Sequence, residues 1–391
     1  MDRFFSNENV NIDALEKKAF NYRWAVHPKG IIPLTAADPD FPVAPPIKES
    51  IKKYIEDGYF SYGPAEGLYE FKQAISNWYK RQHLADCNPE FILPVNSAAY
   101  ALFVVMKTIL KEGEQAIIPN PVDFLFRKSI EYAKGSAIPC EVNMDTAEYD
   151  FIELEQKINS KTKAIMLCNP NNPLGKSYTL EQINKLKSFA KKYDLWLIAD
   201  EIWADIYYDK KVISVLNSSS IPYEKTVVIS GLSKNFGLAG LRIGYIICPN
   251  NTFYRKVLEN SLHQSTAFGL SPLAQAAGIS ALSECDDWLN GFRKHLGKMK
   301  TLSQNFVKNS GFLHPVESDS TYLMFPKIRQ EINSEELVKN ILDISNVALV
   351  PGGNNWFESK SEGYLRICYA SSEAILSEAF ERINSKKEFF I

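Results

Sequence analysis

No stretch of this chain is apolar for long enough to span a bilayer. Opposite charges nearly cancel, leaving a formal net charge of −2. That gives no basic field for nucleic acid and no cationic face for a membrane surface. Cysteine is sparse: Cys87, Cys140, Cys168, Cys248, Cys285 and Cys368 stand singly, with no CxxC pair and no metal-ligand spacing. Reduced thiols in a cytoplasmic compartment are the expectation, and a zinc site is not. No Walker-type loop is present. The opening MDRFFSNENVNIDALEKK is polar and lacks an apolar core, so no signal peptide is expected. Short-period repeats and low-complexity tracts are missing as well. What is present is ordinary for a folded chain: 391 residues, 45% hydrophobic and 23% charged. That length is too great for one simple core and suits two domains, or one large domain with a smaller companion.

Short runs rich in Ile, Val and Leu occur at 115–119, 164–168, 195–199, 226–229 and 243–248. They are apolar on both faces, as strands of a buried sheet are. Helical patterns lie between them, most clearly over 179–193. There Thr179 and Gln182 have capping-box spacing, and Leu180, Ile183, Leu186 and Phe189 recur with helical period. The alternation predicts an α/β fold with a mostly parallel central sheet. From about residue 289 the pattern changes. A long helix (287–309) precedes a strand (320–325), a helix (334–344), strands near 347–351 and 364–369, and a last helix from about 372 to 383, a compact α+β unit. The expected division is a segment 1–45 packing on that unit, a large domain 46–288 and a smaller domain 289–391.

Four motifs carry candidate chemistry. Ser230-Gly231-Leu232-Ser233-Lys234 follows the strand at 226–229, so Lys234 falls just beyond a strand's carboxyl end, where open α/β sheets bind ligands. A lone lysine there reads as a solvated surface group. Arg242, eight residues on, changes the weighting. A strongly apolar strand ends in Asp200-Glu201; that is either a turn or an acid buried at the sheet edge and held ionised by a cation. Asn169-Pro170-Asn171-Asn172-Pro173-Leu174-Gly175 follows another strand and reads as a plain turn, or as a rigid one presenting the Asn172 amide. Asn96-Ser97-Ala98-Ala99 opens an apolar helix. Ser97 suits the N-cap, leaving the N–H groups of Ala98 and Ala99 for an anion, although every helix has such an end.

In order, Tyr62-Gly63-Pro64-Ala65-Glu66-Gly67-Leu68, Asn172-Pro173-Leu174-Gly175, Asp200-Glu201-Ile202, Ser233-Lys234, Arg242 and Arg366 resemble the class I/II aminotransferases of pyridoxal-phosphate fold type I. They are also similar to the related carbon–sulfur β-lyases of the MalY/PatB kind. The likeness runs from about residue 30 to the end. It implies an aspartate-aminotransferase-like fold and pyridoxal 5′-phosphate as cofactor, bound to Lys234 as a Schiff base. Asp200 pairs with the ring nitrogen, and Asn172 bonds the ring's 3′ oxygen. Ser97, Ala98, Ala99, Ser233 and Arg242 surround the phosphate. Tyr62 reaches the phosphate of a neighbouring subunit, so the implied unit is a homodimer. Ala37, Asn172 and Arg366 face the substrate, with Arg366 clamping its carboxylate.

The chain departs from that family at several places. Trp203 stands where aminotransferases carry a tyrosine for the 3′ oxygen. Asp123 falls near the position of the aromatic residue that stacks on the ring; Phe124 is the expected substitute, and Asp123 itself is expected to be an exposed loop carboxylate, the alternative being an acid that faces a cationic substrate. Gly231 replaces a phosphate serine, which passes that contact to Ser230, Ser233 or backbone. Arg242 leans toward aminotransferases; Ala36-Ala37-Asp38-Pro39-Asp40-Phe41 lies between the two branches. The expected activity is amino transfer from a small amino acid to a 2-oxo acid, the alternative being β-elimination that releases a thiol, pyruvate and ammonia.

Overall fold

The expected apolar runs become strands of one sheet in the computed structural model, which describes residues 4–390. The chain's strands are β1 (Ile32–Pro33), β2 (Ile92–Val95), β3 (Gln115–Asn120), β4 (Ser136–Glu141), β5 (Thr162–Cys168), β6 (Trp196–Asp200), β7 (Thr226–Gly231), β8 (Gly244–Ile247), β9 (Leu323–Met324), β10 (Val347–Ala348), β11 (Val350–Pro351) and β12 (Leu365–Cys368). Seven of them pair in the order β2-β8-β7-β6-β5-β3-β4. Only β8 runs against its neighbours. This is the α/β class with a mostly parallel sheet that the alternation predicts. Ile165 and Leu167 of β5 pack into one apolar cluster, while Ala164, Met166 and Cys168 pack into another on the opposite face. Helices cover both faces, which is why these strands show no polar alternation.

The helix Leu180–Lys192 begins where its sequence says. Thr179 Oγ1 accepts from Gln182 N at 3.2 Å, and Gln182 Oε1 accepts from Thr179 N at 2.8 Å. Such a cap contributes about 1 kcal/mol. Past the long helix Asp286–Asn309, β11-β12-β9 form an antiparallel sheet. The single strand expected at 347–351 is two: β10 pairs with β1, and β11 pairs with β12. The strand expected at 320–325 shrinks to β9, because the backbone before it bonds elsewhere. Ser320 N donates to Gly175 O at 3.1 Å and Thr321 N to Ile206 O at 3.0 Å, both in loops of the large sheet.

The segment 32–40 is laid along the carboxyl-terminal elements by main-chain bonds. Leu34 N donates to Ala348 O at 2.9 Å, Cys368 N to Leu34 O at 3.0 Å, and Asp40 N to Ala370 O at 3.0 Å. A buried ion pair between Arg23 and Asp40 fixes it from behind. Trp24 Nε1 adds a bond to the same carboxylate at 2.7 Å, and Arg23 Nη1 bonds Pro33 O at 2.6 Å. All six cysteines are buried and free.

Candidate active site

The loops after β3, β5, β6 and β7 leave the same edge of the sheet, and the chemistry-bearing side chains converge there. They line a cavity of about 860 Å³, together with the start of the helix Ala98–Ile109 and residues of the amino- and carboxyl-terminal segments. Of the residues singled out in the sequence, Ala37, Ser97, Ala98, Ala99, Phe124, Asn172, Asp200, Trp203, Ser233, Lys234, Arg242 and Arg366 all line this one space. Tyr62 does not. It is 84% exposed on the outside of the chain, 4.9 Å from the ring of Phe268.

Lys234 is held against the amino-terminal segment. Its Nζ donates to Ala37 O at 2.7 Å, and the same carbonyl takes a second bond from Tyr322 OH at 3.2 Å. Trp203 packs edge-on to Tyr322, with its ring 5.5 Å below the ammonium. Burial pushes the Lys234 pKa down, against the pull of Asp38. Asp200 ends β6 and is buried. Its Oδ1 accepts from Ile202 N at 3.0 Å. Burial raises its pKa to about 7, helped by the Asp123 and Glu201 charges. A carboxylate in that condition calls for a cation opposite it.

Another part of the cavity lining calls for an anion. Ser97 caps its helix through Oγ, which accepts from Tyr100 N at 3.2 Å, so the sequence places this cap correctly. The first-turn N–H groups of Ala98 and Ala99 have no partner within the helix and line the cavity. Arg242 sits beside them, exposed and without an ion pair among the described residues. Ser230 Oγ is committed to Glu201 O at 3.2 Å, which leaves Ser233 as the hydroxyl on the cavity wall. Close contact also explains Gly231: a Cβ there would lie 2.5 Å from Ile243 O. Gly244 is tighter still, because a Cβ would stand 2.2 Å from the Ser97 carbonyl carbon and 2.5 Å from Ala98 N. Gly244→Ala must shift the helix start, so a loss of about 1–3 kcal/mol is expected. Thermal unfolding checks it; an unchanged Tm would show that the helix start yields without cost.

Arg366 projects from β12 into the cavity and is buried. Nη1 donates to Asn172 Oδ1 at 3.0 Å, Nη2 donates to Thr35 O at 3.1 Å, and the guanidinium lies 5.0 Å from the Phe357 ring. Its Nε is buried with no partner. Among the described residues no carboxylate forms an ion pair with it, and burial pushes its pKa down. Asp123 corrects the sequence reading. It is half-buried, not an exposed loop acid, and its Oδ2 accepts from Asn172 Nδ2 at 2.8 Å. Phe124 lines the cavity with its ring edge-on to Trp356. Sequence reasoning missed Tyr22, Thr35, Tyr322, Trp356 and Phe357, which carry no motif and reach the site only through the fold. No helix among the described residues is long and apolar enough to cross a membrane.

A cavity lined by a lysine, a cation-seeking acid and an anion cradle, at the carboxyl edge of such a sheet, is a cofactor-dependent group-transfer site. The chain belongs to the aminotransferase class I and II family, whose model matches residues 29–383. It is 30% identical over 379 residues to the aspartate aminotransferase of Bacillus subtilis strain 168, covering 95% of this chain and 94% of that one. It is 29% identical over 364 residues to a (5-formylfuran-3-yl)methyl phosphate transaminase of Methanocaldococcus jannaschii, covering 92% of each. An aromatic aminotransferase structure from Pyrococcus horikoshii superposes with a TM-score of 0.85 at 27% identity, over 92% of this chain and 97% of that chain.

Proposed function

We propose that this protein is a pyridoxal-phosphate-dependent aminotransferase that moves the amino group of an amino acid to a 2-oxo acid. The observation that carries the reading is that Lys234, Asp200, Arg242 and a helix N-terminus line one cavity. A ring with a basic nitrogen and a phosphate suits that acid and that anion site. Asp200 would face the ring nitrogen, and the cation there would relieve its raised pKa. Ala98, Ala99, Ser97, Ser233 and Arg242 would hold the phosphate, and Asn172 and Trp203 would flank the ring. When bound, the cofactor supplies an electron sink that makes the substrate's Cα–H bond acidic.

The chain's own groups do the rest. Arg366 offers its fork to the substrate carboxylate, with Nε unsatisfied and a neutral amide in place of a competing acid. The grip fixes how the Cα–H bond points. Lys234 Nζ, its pKa lowered by burial, takes that proton and delivers it. The Phe357 ring beneath Arg366 and the Trp203 ring beneath Lys234 keep water from both groups.

Tyr62 is exposed and away from its own cavity, which fits a tyrosine that completes the site of a second copy in a homodimer. The proposed domain division remains 1–45 with 289–391, and 46–288 between them. The pairing of β1 with β10 favours it. A cytoplasmic location agrees with the free buried cysteines. The MalY/PatB-type lyase reading shares every first-step residue, and the relatives named aminotransferases favour transfer over elimination. A panel of amino acids with pyruvate or 2-oxoglutarate as acceptor tests the proposal. Amino transfer is expected. Pyruvate released from L-cystathionine with no added oxo acid, and no transfer to any acceptor, would replace transfer by elimination.

A further inference from the structure

The relatives act on different substrates by name, so kinship does not choose the amino donor. The cavity itself carries charge information. Its cations are Lys234, Arg242 and Arg366. On the proposed reading the first two belong to the cofactor and the third to the substrate's α-carboxylate. No further Lys or Arg lines the space. Arg23, nearby in sequence to Tyr22, is buried and committed to Asp40. His27 lines the cavity, but burial pushes its pKa down, which favours the neutral ring. The remaining wall is largely apolar or aromatic, with Tyr22, Phe124, Val338, Leu342, Leu349 and Trp356, and its amides Asn21 and Asn355 carry no charge.

Into this wall projects one acid that the proposed chemistry does not use. Asp123 is pinned to Asn172 twice, by its own N–H to Asn172 O at 3.1 Å and by Asn172 Nδ2 to its Oδ2 at 2.8 Å. Its Oδ1 accepts from Leu125 N at 3.0 Å. Burial pushes its pKa up, against the pull of these two hydrogen bonds and of the Arg366 and Lys234 charges. Asn172 passes the connection on, since its Oδ1 accepts from Arg366 Nη1. Carboxylate, amide and guanidinium form a relay that turns the amide oxygen toward the clamp. The same relay sets the Asp123 carboxyl group beside the substrate pocket with no cation bonded to it.

We infer that Asp123 sets the charge selectivity of the site: it admits amino donors and 2-oxo acids with an uncharged, apolar side chain and turns away those with a second carboxylate. This rests on the aminotransferase reading. A dicarboxylate held by Arg366 would bring its second charge toward Asp123, in a wall to which this chain contributes no further Lys or Arg. Like charges brought together in a partly dry site are repelled strongly enough to decide between ligands. An apolar side chain would cover Tyr22 and Trp356 at no electrostatic cost.

The test uses the cofactor-loaded protein and two non-reacting carboxylates, 3-phenylpropionate and maleate, titrated by tryptophan fluorescence, because Trp203 and Trp356 line the cavity. Wild type should bind 3-phenylpropionate more tightly by on the order of tenfold or more. Asp123→Asn, which keeps shape and an acceptor but loses charge, should shrink that ratio by a similar factor, chiefly by tightening maleate. Asp123→Ser gives the same readout if the first variant folds poorly. The kcat/KM ratio for L-phenylalanine over L-aspartate should fall in parallel. Equal or tighter maleate binding in wild type overturns the inference, as does a ratio unmoved in both variants or a best donor with a cationic side chain. If no amino acid is converted at all, the aminotransferase reading fails instead; if donors react and only the ratio stays fixed, this inference alone fails.

Discussion

Lys234→Ala is expected to abolish amino transfer, with kcat/KM lower by at least about 10⁴-fold, the upper end of what a positioned acid–base group contributes. The side chain both holds the cofactor and moves the proton, so both functions go together. Borohydride should then fix no pyridoxal phosphate to the protein, and the imine absorbance should vanish. Stability should behave differently. The ammonium is buried deeply enough for its pKa to fall, and its one bond is to Ala37 O, which keeps Tyr322 OH as donor. Removing it leaves no orphaned acceptor, so the cofactor-free variant should melt no lower than the cofactor-free parent. Retained turnover would end the proposed mechanism. A collapse of Tm would mean that the lysine holds the fold.

Arg366→Ala should weaken transition-state binding by roughly 2–5 kcal/mol, as when one member of a buried charge pair is truncated. That corresponds to a fall in kcat/KM of about 30-fold to several thousand-fold. The loss has two sources. The substrate carboxylate loses its forked partner, and Asn172 Oδ1 loses the donor that orients the amide. Arg366→Lys should recover little, because an ammonium cannot serve Asn172, Thr35 O and a carboxylate from one plane. Steady-state kinetics with the best donor give the answer, and an unchanged kcat/KM would remove Arg366 from the substrate site.

The strands legible in the sequence are the central ones. The runs at 115–119, 164–168, 195–199, 226–229 and 243–248 are buried on both faces, so their composition alone marks them. The two missed strands of the main sheet, β2 and β4, are its two edges. β2 is only four residues long, and β4 is only partly buried, so no long apolar run announces either. The helix Pro272–Glu284 went unmarked for the opposite reason: small residues such as Ala274, Ala277, Gly278 and Ala281 are buried around it, so no single apolar stripe stands out.

Cavity residues divide in the same way. Asp200 ends an apolar strand, Lys234 and Asn172 lie just beyond one and Arg242 just before one, so each lies next to a strong local signal. Asp123 does not. Its burial is made by Asn172, Leu125 and the chain at Trp356, whose carbonyl accepts from Phe124 N at 3.0 Å. Nothing in the string Pro121-Val122-Asp123 reveals neighbours contributed by such distant segments, so the acid reads as a surface residue until the fold is known.

The segment laid down by β1 carries a consequence for anyone trimming this protein. Its two carbonyls at Thr35 and Ala37 steady Arg366 and Lys234, respectively. A protease cut or a shortened clone beginning at the helix Pro45–Glu56 would keep all seven strands of the main sheet. It would nonetheless strip one wall from the pocket, take the carbonyl partner from Lys234 and leave Arg366 to Asn172 alone, so the product should be inert.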